Sequence, residues 1–216
     1  NIVRLMMSIA MLAITLKLTT GSIAPWDAGW DAWKWLVLSG FVGYVFGDFC
    51  LFNSYLLIGS RFGQLFMTLA PPTAAIAGYL FLGEKMGIYA IAGMSVCIIG
   101  IGFSIVGKSS GGGKRLCIQL PLKGVLYGIG AGVGQGLGLV LSKIGMNCYL
   151  DFNPPVTALE KFMLPFEATQ IRAFAGVTGF LVILLLRGEI KKLVASFSDR
   201  RAMMASTAGT FFENSV

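Results

Sequence analysis

Histidine does not occur in the 216 residues, and Asp, Glu, Lys and Arg together make up only 12% of them. Without histidine, most catalytic triads and the usual zinc and haem sites lose their base or ligand. Charge this scarce, against about 25% in soluble domains, excludes an ordinary soluble globular protein. Disorder is excluded too, since it needs low hydrophobicity and high charge. Cysteine is sparse: Cys50, Cys97, Cys117 and Cys148 form no CxxC pair, so they read as small packing residues rather than a redox or metal site. Gly111-Gly112-Gly113-Lys114 is no phosphate loop, because Lys108 stands where its first glycine belongs and Arg115 where Ser or Thr belongs. No catalytic dyad is visible; no enzyme activity, cofactor or metal is expected. The net charge is +7, but the basic residues sit in short loops, the habit of membrane proteins and not of nucleic-acid binders.

What the chain has instead is apolar length. Hydrophobic residues make up 56%, glycine contributes 29 residues, and the mean hydropathy is +0.77. A bilayer span needs about 20 mostly apolar residues. Six runs qualify: 2–18, 35–58, 62–82, 87–107, 122–146 and 168–186; a seventh begins at 202–212. An open sheet cannot satisfy its backbone in lipid, and barrel strands alternate where these runs are continuous. The expected fold is an all-α polytopic membrane helix bundle in a lipid bilayer. The chain starts inside one run and ends just after another begins, and so reads as part of a longer protein.

Residues 108–121 hold Ser-Ser-Gly-Gly-Gly-Lys-Arg and read as a flexible linker between residues 1–107 and 122–216. The stretch 187–201 is basic and suits the membrane surface. Trp26, Trp30, Trp33 and Trp35 suit an aromatic belt. On one side of the expected spans lie 11 basic residues: Arg4, Arg61, Lys108, Lys114, Arg115, Lys123, Arg187, Lys191, Lys192, Arg200 and Arg201. The other side has 6: Lys17, Lys34, Lys85, Lys143, Lys161 and Arg172. The positive-inside rule places the first set in the cytoplasm.

An internal repeat is also visible. Arg4 and Arg172 open two runs that end equally far beyond them, at Leu18 and Leu186, and Gly43-Tyr44-Val45-Phe46 resembles Gly209-Thr210-Phe211-Phe212. The second copy is the fifth span after the first, an odd number, so the two cross in opposite directions, as the inverted repeats of secondary transporters do.

Asp48 is the one acidic residue deep in a strong span. A charge at the bilayer centre costs about 2.5–3.5 kcal/mol even on lenient scales, which makes Asp48 a functional candidate by default. It shares a helical stripe with Gly40, Tyr44, Gly47, Leu51 and Tyr55, expected to face the bundle interior, while Phe41, Val45, Phe49, Phe52 and Leu56 occupy the other face. A proton-linked step and a structural hydrogen bond to a neighbouring helix are both open to it. Tyr44, Gln135 and Gln64 are candidates to meet a polar substrate or to bridge helices. Arg172 either meets an anionic group or snorkels to the interface. Pro71 and Pro72 remove two backbone donors and are expected to kink their run near a gating or binding site. Gly124, Gly128, Gly132 and Gly136 form an overlapping GxxxG seam for close helix packing. Glu84 reads as a loop cap or salt-bridge residue.

The order Gly47-Asp48, Ser60-Arg61-Phe62-Gly63-Gln64-Leu65, Leu69-Ala70-Pro71-Pro72, Phe81-Leu82-Gly83-Glu84-Lys85, Ala92-Gly93 and Gly100-Ile101-Gly102 resembles the EamA domain of the drug/metabolite transporter superfamily. That resemblance implies two inverted five-helix repeats, of which this chain carries helices two to five in residues 1–107 and six, seven and part of eight in 122–216. It implies a secondary transporter of small metabolites or drugs, an exporter working by alternating access, in the bacterial inner membrane. The partner it implies is a small-molecule substrate; H+ or another coupling ion is a candidate from the intramembrane position of Asp48, beside the structural reading of that residue. A channel or a membrane-embedded non-transport protein is the alternative. The chain departs from the family in the polar tail Glu213-Asn214-Ser215-Val216 and in orientation, since the commonest family topology puts the termini in the cytoplasm.

The charge count generates a direct test. A cysteine placed at Ser110 should resist a membrane-impermeant thiol reagent added outside intact cells and react once the cells are opened. Labelling from outside would reverse the orientation.

Overall fold

The computed structural model describes residues 2–19, 21, 23, 25, 28–108, 116–118, 121–154 and 157–187. The seventh run, the tail, the basic stretch 188–201, the Gly209–Phe212 half of the repeat and Trp26 lie outside the described residues. The six apolar runs are helical over most of their length; the run 62–82 breaks at Thr68 and Leu69, and the last two residues of the run 87–107, Val106 and Gly107, are strand residues. The helices are α1 (Ile2–Thr19), α2 (Trp30–Gly40), a π-helical segment (Phe41–Gly47), α3 (Asp48–Met67), α4 (Ala70–Leu82), α5 (Ile88–Ile105), α6 (Leu122–Phe152) and α7 (Ala158–Arg187). Four stretches are long and apolar enough to cross a membrane: Ile2–Thr19, Trp30–Met67, Leu122–Phe152 and Ala158–Leu186. Ala70–Leu82 and Ile88–Phe103 are shorter apolar helices. Among the described residues the remaining structure is one small ribbon, Val106–Lys108 paired antiparallel with Leu116–Ile118. Lys108 and residues 116–118, expected in a flexible linker, are therefore strand residues, and three of the six are β-branched or apolar partners suited to it: Val106, Leu116 and Ile118.

The chain forms two compact units, one of residues 1–41 and 141–216, the other of residues 42–140. Each unit draws helices from both sides of the 108–121 segment. In the first unit α1 and α2 pack on α7. The core is Ala28, Ala32, Leu36, Ala168 and Ile171, with Trp33, Val37, Met146, Cys148 and Tyr149 against it. Small residues bring the helices close: a methyl on Gly40 would stand 2.5 Å from the Arg172 carbonyl oxygen, and one on Gly145 2.7 Å from Leu36 Cγ. Thr19 Oγ1 reaches Met163 Sδ at 3.6 Å, so the end of α1 meets the beginning of α7. Helix α7 starts ten residues before the apolar run does. Thr157 Oγ1 accepts the Glu160 N–H and the Glu160 carboxylate accepts the Thr157 N–H, both at 3.3 Å, a reciprocal capping box that the string Thr157-Ala158-Leu159-Glu160 encodes.

In the second unit the chain reverses at Gly59 (φ 82°, ψ 159°), a conformation essentially confined to glycine. Gly63 then lies against the Tyr55 ring and Ser54, an equal number of residues back. Residues 48–58 run antiparallel to α6, with Cys50 beside Gly130 and Ile58 beside Gly124. After the turn the direction is parallel, with Phe66 beside Gly128, Leu69 beside Gly132 and Thr73 beside Gly136. The glycine seam is thus where α6 receives the end of α3 and the start of α4. A methyl on Gly132 would stand 2.6 Å from the Phe66 carbonyl oxygen, and one on Gly134 2.9 Å from the Phe46 ring. Ile58, Phe66, Ile101 and Val125 form one core cluster; Cys50, Leu51 and Ala131 form another.

The proline kink is placed differently from expectation. The break falls in front of the prolines, at Thr68 and Leu69, and Pro71 and Pro72 occupy the first turn of α4. First-turn N–H groups have no partner within a helix, so proline there costs no hydrogen bond and begins the helix instead of bending it. Thr68 Oγ1 donates to the Leu65 carbonyl at 2.7 Å across the break. At the other end, Gly83 in the left-handed region and the Glu84 N–H donating to the Gly78 carbonyl close α4.

Helix α5 is apolar on every side and among its described side chains only Ile101 is buried. Phe41, Phe46, Phe52 and Leu56 are likewise exposed along α2–α3, and Leu181, Val182, Leu185 and Leu186 along α7. In water this would be costly; against lipid tails it is what a spanning helix presents.

Gly59 and Gly87 both face open space, yet only Gly59 has a positive φ. Gly59→Ala should lower stability by about 1–3 kcal/mol through backbone strain, whereas Gly87→Ala should stay within about 0.5 kcal/mol. Thermal unfolding in detergent measures both, and equal melting would contradict the hairpin turn.

Candidate functional site

The π-helical segment Phe41–Gly47 holds Gly43 near its start and ends on Gly47, and Asp48 is the first residue after it. A π turn holds an extra residue, widens the backbone and changes which side chains share a face; such turns recur at functional sites. Here it delivers Asp48 inward. Asp48 is 3% exposed, Gly40, Gly47 and Leu51 of its stripe are buried, and Tyr44 and Tyr55 are half-buried. On the opposite face Phe41, Phe52 and Leu56 are exposed, while Val45 and Phe49 are half-buried like Tyr44 and Tyr55, so the expected division holds at its ends and blurs between them.

Gln135 on α6 meets this turn. Its Nε2 donates to Asp48 Oδ1 at 2.9 Å and to the Gly43 carbonyl at 3.1 Å. Both partners are acceptors, so the amide nitrogen has to face them. Gly47 makes room for it: a methyl there would stand 3.3 Å from Gln135 Nε2. One amide therefore ties together a buried carboxylate, the backbone of the π segment and the glycine-rich helix. Nearby, the Thr73 hydroxyl lies 3.2 Å from the Gly132 carbonyl and 2.9 Å from that of Leu69, and Ser54 Oγ donates to the Gly124 carbonyl at 3.3 Å.

The structure brings Asp48 and Gln135 together, and Tyr44 is half-buried in the π-helical segment that precedes Asp48. It does not bring Gln64 there: Gly63 and Phe66 take the inward positions of that turn and Gln64 is exposed. Pro72 is buried and Pro71 exposed at the head of α4. Arg172 belongs to the other unit and is buried there, 7% exposed.

Two features were not anticipated from sequence. The π segment leaves no composition signal beyond its two glycines. Gln170, fully buried on α7, donates to the Ile23 carbonyl at 3.0 Å; a glutamine two residues before Arg172 in an apolar run was the available sign. Among the described residues no cluster of His, Cys, Asp and Glu could hold a metal ion.

Residues 1–106 match the EamA-like transporter family. No curated protein and no solved structure matches the chain.

The Asp48–Gln135 contact can be measured as a coupling energy. A double-mutant cycle of Asp48→Ala and Gln135→Ala, read by unfolding in detergent, should give about 0.6 kcal/mol, the average for side-chain hydrogen bonds between membrane helices, and no more than about 1.7 kcal/mol. Additive effects would remove the contact from the native state.

Proposed function

We propose, starting from the match of residues 1–106 to the EamA-like transporter family, that the chain acts as a secondary carrier of small metabolites or drugs, working by alternating access. It is an integral, multi-pass membrane protein of transporter type. Export, and residence in a bacterial inner membrane, are the parts of this reading that rest on the family resemblance. Residues 1–107 and 122–216 are proposed as inverted repeats joined by 108–121. The contact between the end of α1 and the beginning of α7 supports this, since helices that meet so run in opposite directions.

The observation that carries the mechanism is the Asp48–Gln135–Gly43 arrangement. An ionised carboxylate only accepts hydrogen bonds; once protonated it also donates, and the same amide then offers it a carbonyl. Proton uptake at Asp48 would exchange one hydrogen-bond pattern for another beside a turn that is already one residue out of α register. A π turn that relaxes to α shifts every residue on one side of it by one position, which is the kind of bistable element that alternating access needs. Asp48 is the coupling residue, with Tyr44 and Gln135 as its neighbours. Pro71 and Pro72, beside the break at Thr68 and Leu69, mark a gating position, and Arg172 a contact for an anionic substrate group.

Reconstitution in liposomes at two pH values tests this. Asp48→Asn should abolish gradient-driven accumulation of a transported substrate and leave exchange partly intact, because a fixed neutral group blocks proton release but not the rocking step. Unchanged accumulation would leave Asp48 as a hydrogen bond between helices.

A further inference from the structure

A second polar feature lies in the unit of residues 1–41 and 141–216. A cavity of about 450 Å³ opens where α2 begins and α6 ends, walled by Trp30, Asp31, Cys148, Asp151 and Phe152. Its volume falls among those of small-molecule sites, about 300–1,000 Å³. Gly29 holds it in shape: a methyl there would stand 3.0 Å from the Phe152 ring. Two large aromatics are left on the surface, Trp30 at 76% exposure and Phe152 at 66%. The formal charge of the walls is negative, from Asp31 and Asp151. One corner already holds a cation: Lys34 Nζ sits 3.0 Å from Asp31 Oδ1 and 5.7 Å from the centre of the Trp30 ring.

We propose that this cavity binds an organic ammonium ion bearing an aromatic or alkyl group, and that Lys34 is the tethered competitor such a ligand displaces. A carboxylate together with an indole face is the combination that recognises ammonium groups, and the Phe152 side accepts the apolar remainder. Anions are repelled by the same two carboxylates. Neither the residues nor the test involves Asp48.

Cys148 in the wall is a free thiol and serves as the reporter. Its thiolate attacks the sulfenyl sulfur of a methanethiosulfonate, forms a disulfide and releases methanesulfinate. The unmodified chain in detergent is treated with the trimethylammonium-ethyl reagent and, separately, with the sulfonato-ethyl reagent. The Cys148 peptide is followed by mass spectrometry, and each rate is divided by that of free 2-mercaptoethanol. The cationic reagent should be favoured about tenfold at Cys148, and Asp31→Asn with Asp151→Asn should bring that preference to the free-thiol value. Benzyltrimethylammonium should slow both reagents at Cys148, at lower concentration in Lys34→Gln. Three results overturn the proposal: no cationic preference, a preference untouched by the two Asn substitutions, or no protection by benzyltrimethylammonium. Protection is read in the unaltered chain, so the outcome stands even if the Asn variant fails to fold.

Discussion

Within residues 42–140, the arrangement depends on how closely the backbone of α6 approaches its neighbours. Lipid tails are as apolar as leucine, so burial of apolar surface gives helices in a bilayer little reason to associate; contact and hydrogen bonding have to supply it. Glycine supplies both. At Gly132 and Gly134 a single methyl group would collide with a backbone oxygen or an aromatic ring, and forcing such a group into a packed contact costs about 1–3 kcal/mol. The same absence of a side chain uncovers the peptide oxygen. Gly43, Gly124 and Gly132 are the acceptors for Gln135, Ser54 and Thr73. Side-chain hydrogen bonds between membrane helices average about 0.6 kcal/mol each, so these three orient the packing and the close contact holds it.

The irregular places in the backbone of this unit are each matched by a group that makes them tolerable. Glycine is the residue at the Gly59 reversal, the Thr68 hydroxyl caps the break before α4, and the Gln135 amide meets the Gly43 carbonyl in the π segment. Non-regular backbone at membrane depth survives only where protein or water satisfies it. Two of the three satisfied breaks are rigid punctuation. The third places a titratable side chain beside the irregular turn, and for that reason the proposed switching was assigned there.

Much of this was legible in the residues. Continuous apolar runs gave the six helical stretches, and the spacing of Gly40, Gly47, Asp48 and Leu51 against Phe41, Phe52 and Leu56 gave the buried and exposed faces. The helix ends were less legible, because hydropathy measures lipid contact and not hydrogen bonding: Asp31 and Lys34 pair on α2 ahead of the apolar run, and the Thr157–Glu160 box begins α7 among charged residues. The prolines were read by what they remove, while their first-turn position needed nothing they lack. The π turn was invisible, since no residue type requires it. Gln135 was legible as a candidate but its partners were not, because contacts between residues 87 and 92 positions apart follow from packing and leave no local pattern.

Acidic residues number only ten, and three of them illustrate two different physical regimes. Asp48 is shielded from water by helix packing and accepts from the Gln135 amide, so dissolved salt has little access to it. On the proposed mechanism a proton there would add a donor to a carboxylate that otherwise only accepts. Asp31 and Asp151 sit at a helix end beside exposed aromatics, where water and ions reach them. Attraction of a cation there fades over about 8 Å at physiological ionic strength, and what makes the attraction selective is the indole face and not the charge alone. Under the two proposals made above, Asp48 would respond to protonation, whereas Asp31 and Asp151 would respond to the ionic strength of the surrounding water.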